Sequence, residues 1–144
     1  MKLVIQRVKQ GSVSVENKII GQINQGFVVL VGFKKEDSEN CILAMVAKLI
    51  NLRIMSDGNG KMNLALKDVN GEILLIPQFT LYADTSSRRP GFTPAANPDI
   101  ASKLFDQFVL EVKKSSLNVQ TGKFGADMLV NIANDGPVTI ILEN

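Results

Sequence analysis

The chain has no histidine and a single cysteine among its 144 residues. The first absence removes the side chain that most often moves protons near neutral pH, and with it every Ser-His-Asp or Cys-His nucleophile set. The second rules out an intrachain disulfide. A zinc site would have to be built from carboxylates and the thiol of Cys41 alone, so neither a metal nor another cofactor is expected. No stretch approaches the roughly 20 apolar residues of a membrane helix. The opening Met1-Lys2-Leu3-Val4-Ile5-Gln6-Arg7 is charged too early for a secretory signal, so a cytoplasmic protein without a membrane partner is expected. A phosphate loop of the G-x-x-x-x-G-K kind and a dinucleotide fingerprint are both missing.

What is present fits one soluble globular domain spanning 1–144, with 45% hydrophobic and 21% charged residues. The net charge of +2 does not announce nucleic-acid binding, so clustering carries more information than the sum. Lys34-Lys35 and Lys113-Lys114 read as solvated surface pairs. Arg88-Arg89 lies in a Ser/Thr/Pro-rich loop from Ala83 to Asn97, and a loop that long in a compact domain is often functional.

The first third reads as strands. Leu3, Ile5 and Arg7 share one face, Ser12 to Val15 alternates, and Asn17-Lys18 and Asn24-Gln25-Gly26 offer two hairpin turns. Phe27 to Phe33 is an apolar run suited to a strand buried on both faces. A helix follows, capped by Asp37 or Ser38, with Ile42, Leu43, Val46, Ala47, Leu49 and Ile50 as its apolar stripe and Cys41 as a small core residue. Leu52 to Met55 suggests a short strand, and Glu72 to Leu81 a strand interrupted by Pro77. Asn97-Pro98 opens a second helix that buries Ala101, Leu104, Phe105, Phe108, Val109 and Val112. The tail returns to β structure at 118–120, 128–132 and 138–142. The expected class is α/β: mixed, largely antiparallel sheets with two main helices packed on them.

Two features could carry chemistry. Thr80, beside Gln78 and Phe79, is a hydroxyl without an evident base, and such a group is a poor nucleophile. Gly136-Pro137 precedes a β-branched run. It reads equally as a tight turn into the last strand or as a device that aims two backbone carbonyls at one point, and a cis bond would be one way to fix that aim.

With "PQFTL" at 77–81 and "NDGPVT" at 134–139, the sequence resembles the D-aminoacyl-tRNA deacylases. "VIQRV" at 4–8, "GKMN" at 60–63, "RRP" at 88–90 and "GKFGADM" at 122–128 follow in the same order. The resemblance implies a homodimer that hydrolyses the ester between a D-amino acid, or mischarged glycine, and the 3′ end of tRNA. It implies a cis Gly136-Pro137 bond reaching across the dimer, with carbonyls that read the substrate amino group and a wall that rejects L side chains. Arg7 would hold that loop. Gln78, Phe79 and Thr80 would lie at the reacting ester, and Pro77, Phe124, Met128 and, more loosely, Ala101 at the terminal adenosine. Catalysis then rests either on Thr80 or on the 2′-hydroxyl of the tRNA itself. The family usually has serine where Pro77, Ala65 and Gly91 stand. Two other readings stay open: a non-catalytic tRNA-end binding module, which gains from the Pro77 exchange, and a deacylase of relaxed chirality, which would follow from a trans Gly136-Pro137 bond.

Overall fold

The computed structural model describes residues 1–144. Strand β1 (Lys2–Val15) is the spine. A turn at Glu16-Asn17, both at positive φ, leads into β2 (Lys18–Ile23), and β3 (Gly26–Gly32) follows. The turn thus sits one residue earlier than Asn17-Lys18. The second expected hairpin is not one. Gly11 pairs with Ile23 and Val8 with Gly26, so β2 and β3 run one after the other along the same edge of β1, in one register. Asn24-Gln25 is a break in a long strand, because its polar residues interrupt the ladder without reversing it.

Helix α1 (Glu39–Ile50) comes next, then β4 (Met55–Ser56) and β5 (Met62–Leu64), a two-stranded ribbon that takes in only Met55 of the short strand expected at 52–55. Strand β6 (Glu72–Pro77) pairs parallel to β3 and ends at its proline. Residues Phe79–Tyr82 form a 3-10 helix rather than continuing the strand, so Thr80 is not a strand residue. Helix α2 (Pro98–Lys113) is capped by Asn97, whose Oδ1 accepts the Asp99 N–H at 3.0 Å. Strand β7 (Val119–Thr121) adds parallel to β6, and β8 (Leu129–Glu143) pairs with the opposite edge of β1. The sheet is therefore mixed, as expected, with both helices on one face.

Side-chain alternation explains the two cores. Leu3, Ile5, Phe27, Val29, Val31, Ile73 and Leu75 face the helices and join a cluster of 23 buried residues. Val8, Val13, Ile23, Val28, Leu74 and Ile76 form a smaller cluster on the other face, flanked by Met128, Val130 and Ile132. The six α2 residues named from the sequence are the buried ones. In α1 the buried set is Ile42, Met45, Val46 and Leu49, whereas Leu43 and Ala47 face solvent. Helical spacing of i, i+3, i+4, i+7 selects Met45 over Leu43, which lies about 100° off the stripe.

One glycine is required by backbone crowding. A Cβ at Gly26 would lie 1.9 Å from the Glu72 carbonyl oxygen, where β3 and β6 begin their pairing. Main chain cannot give way as a side chain can. Gly26→Ala is expected to cost about 3 kcal/mol or more, lowering the thermal midpoint by roughly 10 °C. An unchanged midpoint would show that the two strands are free to separate here.

Candidate active site

The ends of β3 and β6 open into a cavity of about 580 Å³. Pro77, Gln78 and Phe79 form one wall, and Ala101 and Phe124 another. A second hollow of about 290 Å³ shares Pro77, Gln78 and Phe79 and is bounded by Met128. Six of the expected residues therefore converge. Phe124 packs near Phe105 with ring centroids 6.4 Å apart, which ties the cavity wall to α2. Gly122 leaves room for the Met128 thioether: a Cβ there would stand 2.7 Å from its Sδ.

Local geometry places the 3-10 helix at the cavity. Gln78 N–H donates to Val31 O at 2.8 Å, the last rung between β6 and β3. A Cβ at Gly32 would stand 2.9 Å from Gln78 O and 3.0 Å from Leu81 Cβ, so a glycine there lets the helix sit against β3. At the helix start, Phe79 and Thr80 N–H groups have no partner within the chain, as the first donors of any helix lack one. The Gln78 side-chain amide donates to Thr80 Oγ1. Thr80 itself is exposed and lines neither hollow.

Pro77 costs the sheet little. In β6, Glu72 and Gln78 donate toward β3, at Gln25 O and Val31 O, while Ile73 donates toward β7, at Asn118 O. By this alternation residue 77 would point its N–H toward β7, whose last residue, Thr121, pairs with Leu75. The missing donor falls where the β7 ladder has ended.

Gly136 and Pro137 stand elsewhere, inside a continuous β8 instead of between two separate strands. Thr139 pairs with Gln6 and Asn134 with Val8, so four residues, Asp135 to Val138, stand opposite Arg7 alone. The surplus forms a bulge, and the Gly136-Pro137 peptide within it is cis. Gly136 has φ +128°, and a Cβ there would lie 2.8 Å from Val138 Cγ2 and 3.1 Å from Arg7 Nη2. Only glycine fits both the conformation and the space.

The bulge is held from beneath. Buried Arg7 donates from Nε to Asp135 O at 3.1 Å, and from Nη1 to Ile54 O at 2.8 Å and Ser56 Oγ at 3.2 Å. Its Nε also lies 3.4 Å from Asp135 Oδ2. Gln6 closes the base of the bulge: its Oε1 accepts from Thr139 Oγ1 at 2.8 Å and from the Asn134 amide, whose Oδ1 accepts Val138 N–H at 3.1 Å. Sequence reading singled out Arg7 and missed Gln6, Ile54 and Ser56, which carry no signal outside the folded register. Neither Arg7 nor the Gly-Pro pair lines either hollow.

The groups with displaced pKa values move away from neutrality. Burial raises the Cys41 thiol, and burial with Asp37 and Glu143 nearby pushes the Tyr82 phenol well above its ordinary range. Backbone N–H groups of Lys61 and Asn59 lower Asp57, and those of Ser86 lower Asp84. None of the four lines the cavity.

A histidine-free cavity at the end of a mixed sheet, with free backbone donors on the 3-10 helix that borders it, suits an ester hydrolase that works by position and electrostatics. The family model described as D-Tyr-tRNA(Tyr) deacylase matches residues 4–143. A D-aminoacyl-tRNA deacylase of Thermosipho africanus (strain TCF52B) is 51% identical, with 100% of this chain and 97% of that one covered. Among solved structures, the c-Myc DNA Unwinding Element Binding Protein is similar at a TM-score of 0.94 and 39% identity, covering 100% of this chain and 99% of that one. A structure titled as that of a "probable eukaryotic D-amino acid tRNA deacylase" shares the fold at a TM-score of 0.84 and 19% identity, covering 98% and 97%. The chain belongs to the D-Tyr-tRNA(Tyr) deacylase family and is an enzyme of the D-aminoacyl-tRNA deacylase type. No helix is long and apolar enough to cross a membrane.

Proposed function

We propose that the protein hydrolyses the ester between a D-amino acid, or mischarged glycine, and the terminal adenosine of tRNA, releasing free amino acid and tRNA in the cytoplasm. The observation that carries this reading is the cavity itself. It brings Gln78 and Phe79 together with the adenosine-side residues Phe124 and Ala101, and the free Phe79 and Thr80 N–H groups lie on the adjoining helix. Donors of that kind stabilise the oxyanion that forms as the ester carbonyl is attacked.

Chirality is read by the carbonyls of Gly136 and Pro137, which meet the substrate ammonium and leave no room for an L side chain. Rejection by a steric wall discriminates more sharply than an apolar pocket can. The pair acts in the cavity of a second copy of the chain. Two facts support this: the bulge lines neither hollow of its own chain, and the outer edge of β8 has no partner strand while Leu129 and Ile141 stand exposed.

The test compares D-tyrosyl-tRNA and L-tyrosyl-tRNA, with and without chelator, on protein whose mass in solution has been determined. Rapid cleavage of the D ester alone, insensitive to chelator, by a particle of twice the 15.7 kDa chain is the expected result. Binding of tRNA without cleavage of either ester would replace the enzyme with a tRNA-end binding module. Equal cleavage of both esters would overturn the chiral reading.

A further inference from the structure

Phe79 and Phe92 meet edge to face on the rim of the larger cavity, with centroids 4.9 Å apart and planes at 69°. They are 56% and 40% exposed. Two phenylalanines left in water at a cavity mouth mark a surface that is covered in use.

Phe92 is presented from a braced segment. Gly91 exchanges both backbone hydrogen bonds with Asp84, at 2.7 and 2.8 Å, which closes a hairpin directly before it. Its own carbonyl accepts Ala95 N–H at 3.1 Å, and Pro94 O and Ala96 N–H are bonded to Lys35 and Phe33. The backbone that carries the ring is therefore fixed before any ligand arrives. The same hairpin carries Arg88 and Arg89, both exposed and neither within ion-pair distance of a carboxylate. The hairpin's own carboxylate, Asp84, is turned to Ser86 N–H at 2.9 Å. Lys35, also without an ionic partner, lines the cavity below. Aromatic faces interleaved with free guanidinium groups suit a single-stranded nucleotide, whose base stacks while its phosphate takes the charge. An apolar peptide would use the rings and leave the arginines idle.

The geometry points to a second nucleotide subsite, in which Phe92 stacks the base preceding the terminal adenosine and Arg88 and Arg89 meet the phosphate between them. This rests on the deacylase reading of the cavity. The subsite makes the enzyme select an RNA end over a lone aminoacyl-adenosine, because the second base is held only when a second base exists.

The experiment measures kcat/KM of wild type, Phe92→Leu, Phe92→Tyr and Arg88→Gln/Arg89→Gln on D-tyrosyl-tRNA and on D-tyrosyl-adenosine. Leucine keeps apolar packing against Phe79 and removes the stacking face. A loss of about tenfold for Phe92→Leu on the tRNA ester, carried by KM, is expected from one stacked base. The adenosine ester should be unaffected and Phe92→Tyr should act like wild type. The arginine pair should flatten the salt dependence of KM on the tRNA ester only. An equal loss on both esters, or none on either, would overturn the subsite. Should wild type cleave neither ester, the deacylase reading falls by itself. Binding of uncharged tRNA then decides the subsite: equal affinity of wild type and Phe92→Leu would overturn it, and a tenfold difference would sustain it.

Discussion

Arg7→Ala is expected to lower kcat/KM on D-aminoacyl-tRNA by about 100-fold or more and to cost about 2–4 kcal/mol of stability. The guanidinium is buried and spends its donors on two separate segments, Asp135 of the bulge and Ile54 with Ser56 of the β4 ribbon. Its removal leaves the Ile54 carbonyl without this donor in a buried position. It also leaves the Asp135 carboxylate with only the mostly exposed Lys9, 3.5 Å away. Those two terms set the stability loss. The activity loss has a different origin. Four residues stand opposite one, so the ladder alone does not define the path of the bulge, and the arginine supplies the missing restraint.

Arg7→Lys separates the two effects. An ammonium keeps the charge near Asp135 and recovers part of the stability. It is one compact donor group, and it cannot span both segments as the planar fork does. Discrimination between D and L esters should therefore fall in Arg7→Lys even where a urea melt shows a well-folded protein. Full discrimination in that variant would mean that the bulge is positioned by Gln6, Asn134 and Thr139 alone.

How much of this was readable beforehand depends on the range of the interactions. Local patterns were legible: the buried stripe of α2, the Asn97 cap, the two-faced burial of β3, and the odd placement of an arginine in line with Leu3 and Ile5. Each depends on spacing within about a dozen residues. What failed depends on partners far along the chain. Asn24-Gln25 carries turn residues, yet β1 is long enough to hold β2 and β3 end to end, so the same residues make only a break. Pro77 looks like an interruption within a strand. It ends the strand because Gly32 admits a 3-10 helix across the end of β3, a fact that lies 45 residues away in the chain. The Gly-Pro pair read equally as a turn or as a device that aims two carbonyls, and its place within a single strand was hidden because a bulge of that size is visible only against the register of β1. At the site, the quoted motifs hold residues that the fold gathers at the two hollows and in the bulge, while Phe92 stood within "RRPGF" with nothing to separate it from an ordinary loop aromatic until its exposure was known.

The catalytic group is the point at which absence in the sequence and geometry in the fold meet. Thr80 Oγ1 accepts a hydrogen bond from the Gln78 amide. That bond steadies the oxygen but takes no proton from it, and activation of a hydroxyl requires a base. The chain has no histidine, and the groups with displaced pKa values lie outside the cavity lining. The 2′-hydroxyl of the terminal adenosine, by contrast, is adjacent to the ester by its own covalent structure. It can take a proton from the attacking water while giving its own to the leaving 3′-oxygen, a relay that needs orientation and no separate base. Replacing that adenosine by 2′-deoxyadenosine should therefore slow cleavage of the D ester about 100-fold, the lower range for loss of a positioned proton-transfer group. Thr80→Ala should stay within about tenfold of wild type, since it removes a hydroxyl and leaves the Phe79 and Thr80 N–H donors in place. Single-turnover rates on the two tRNAs with the two proteins decide the matter. A dead Thr80→Ala together with full activity on the deoxy substrate would make the threonine the nucleophile, and some group now assigned a structural role would have to act as its base.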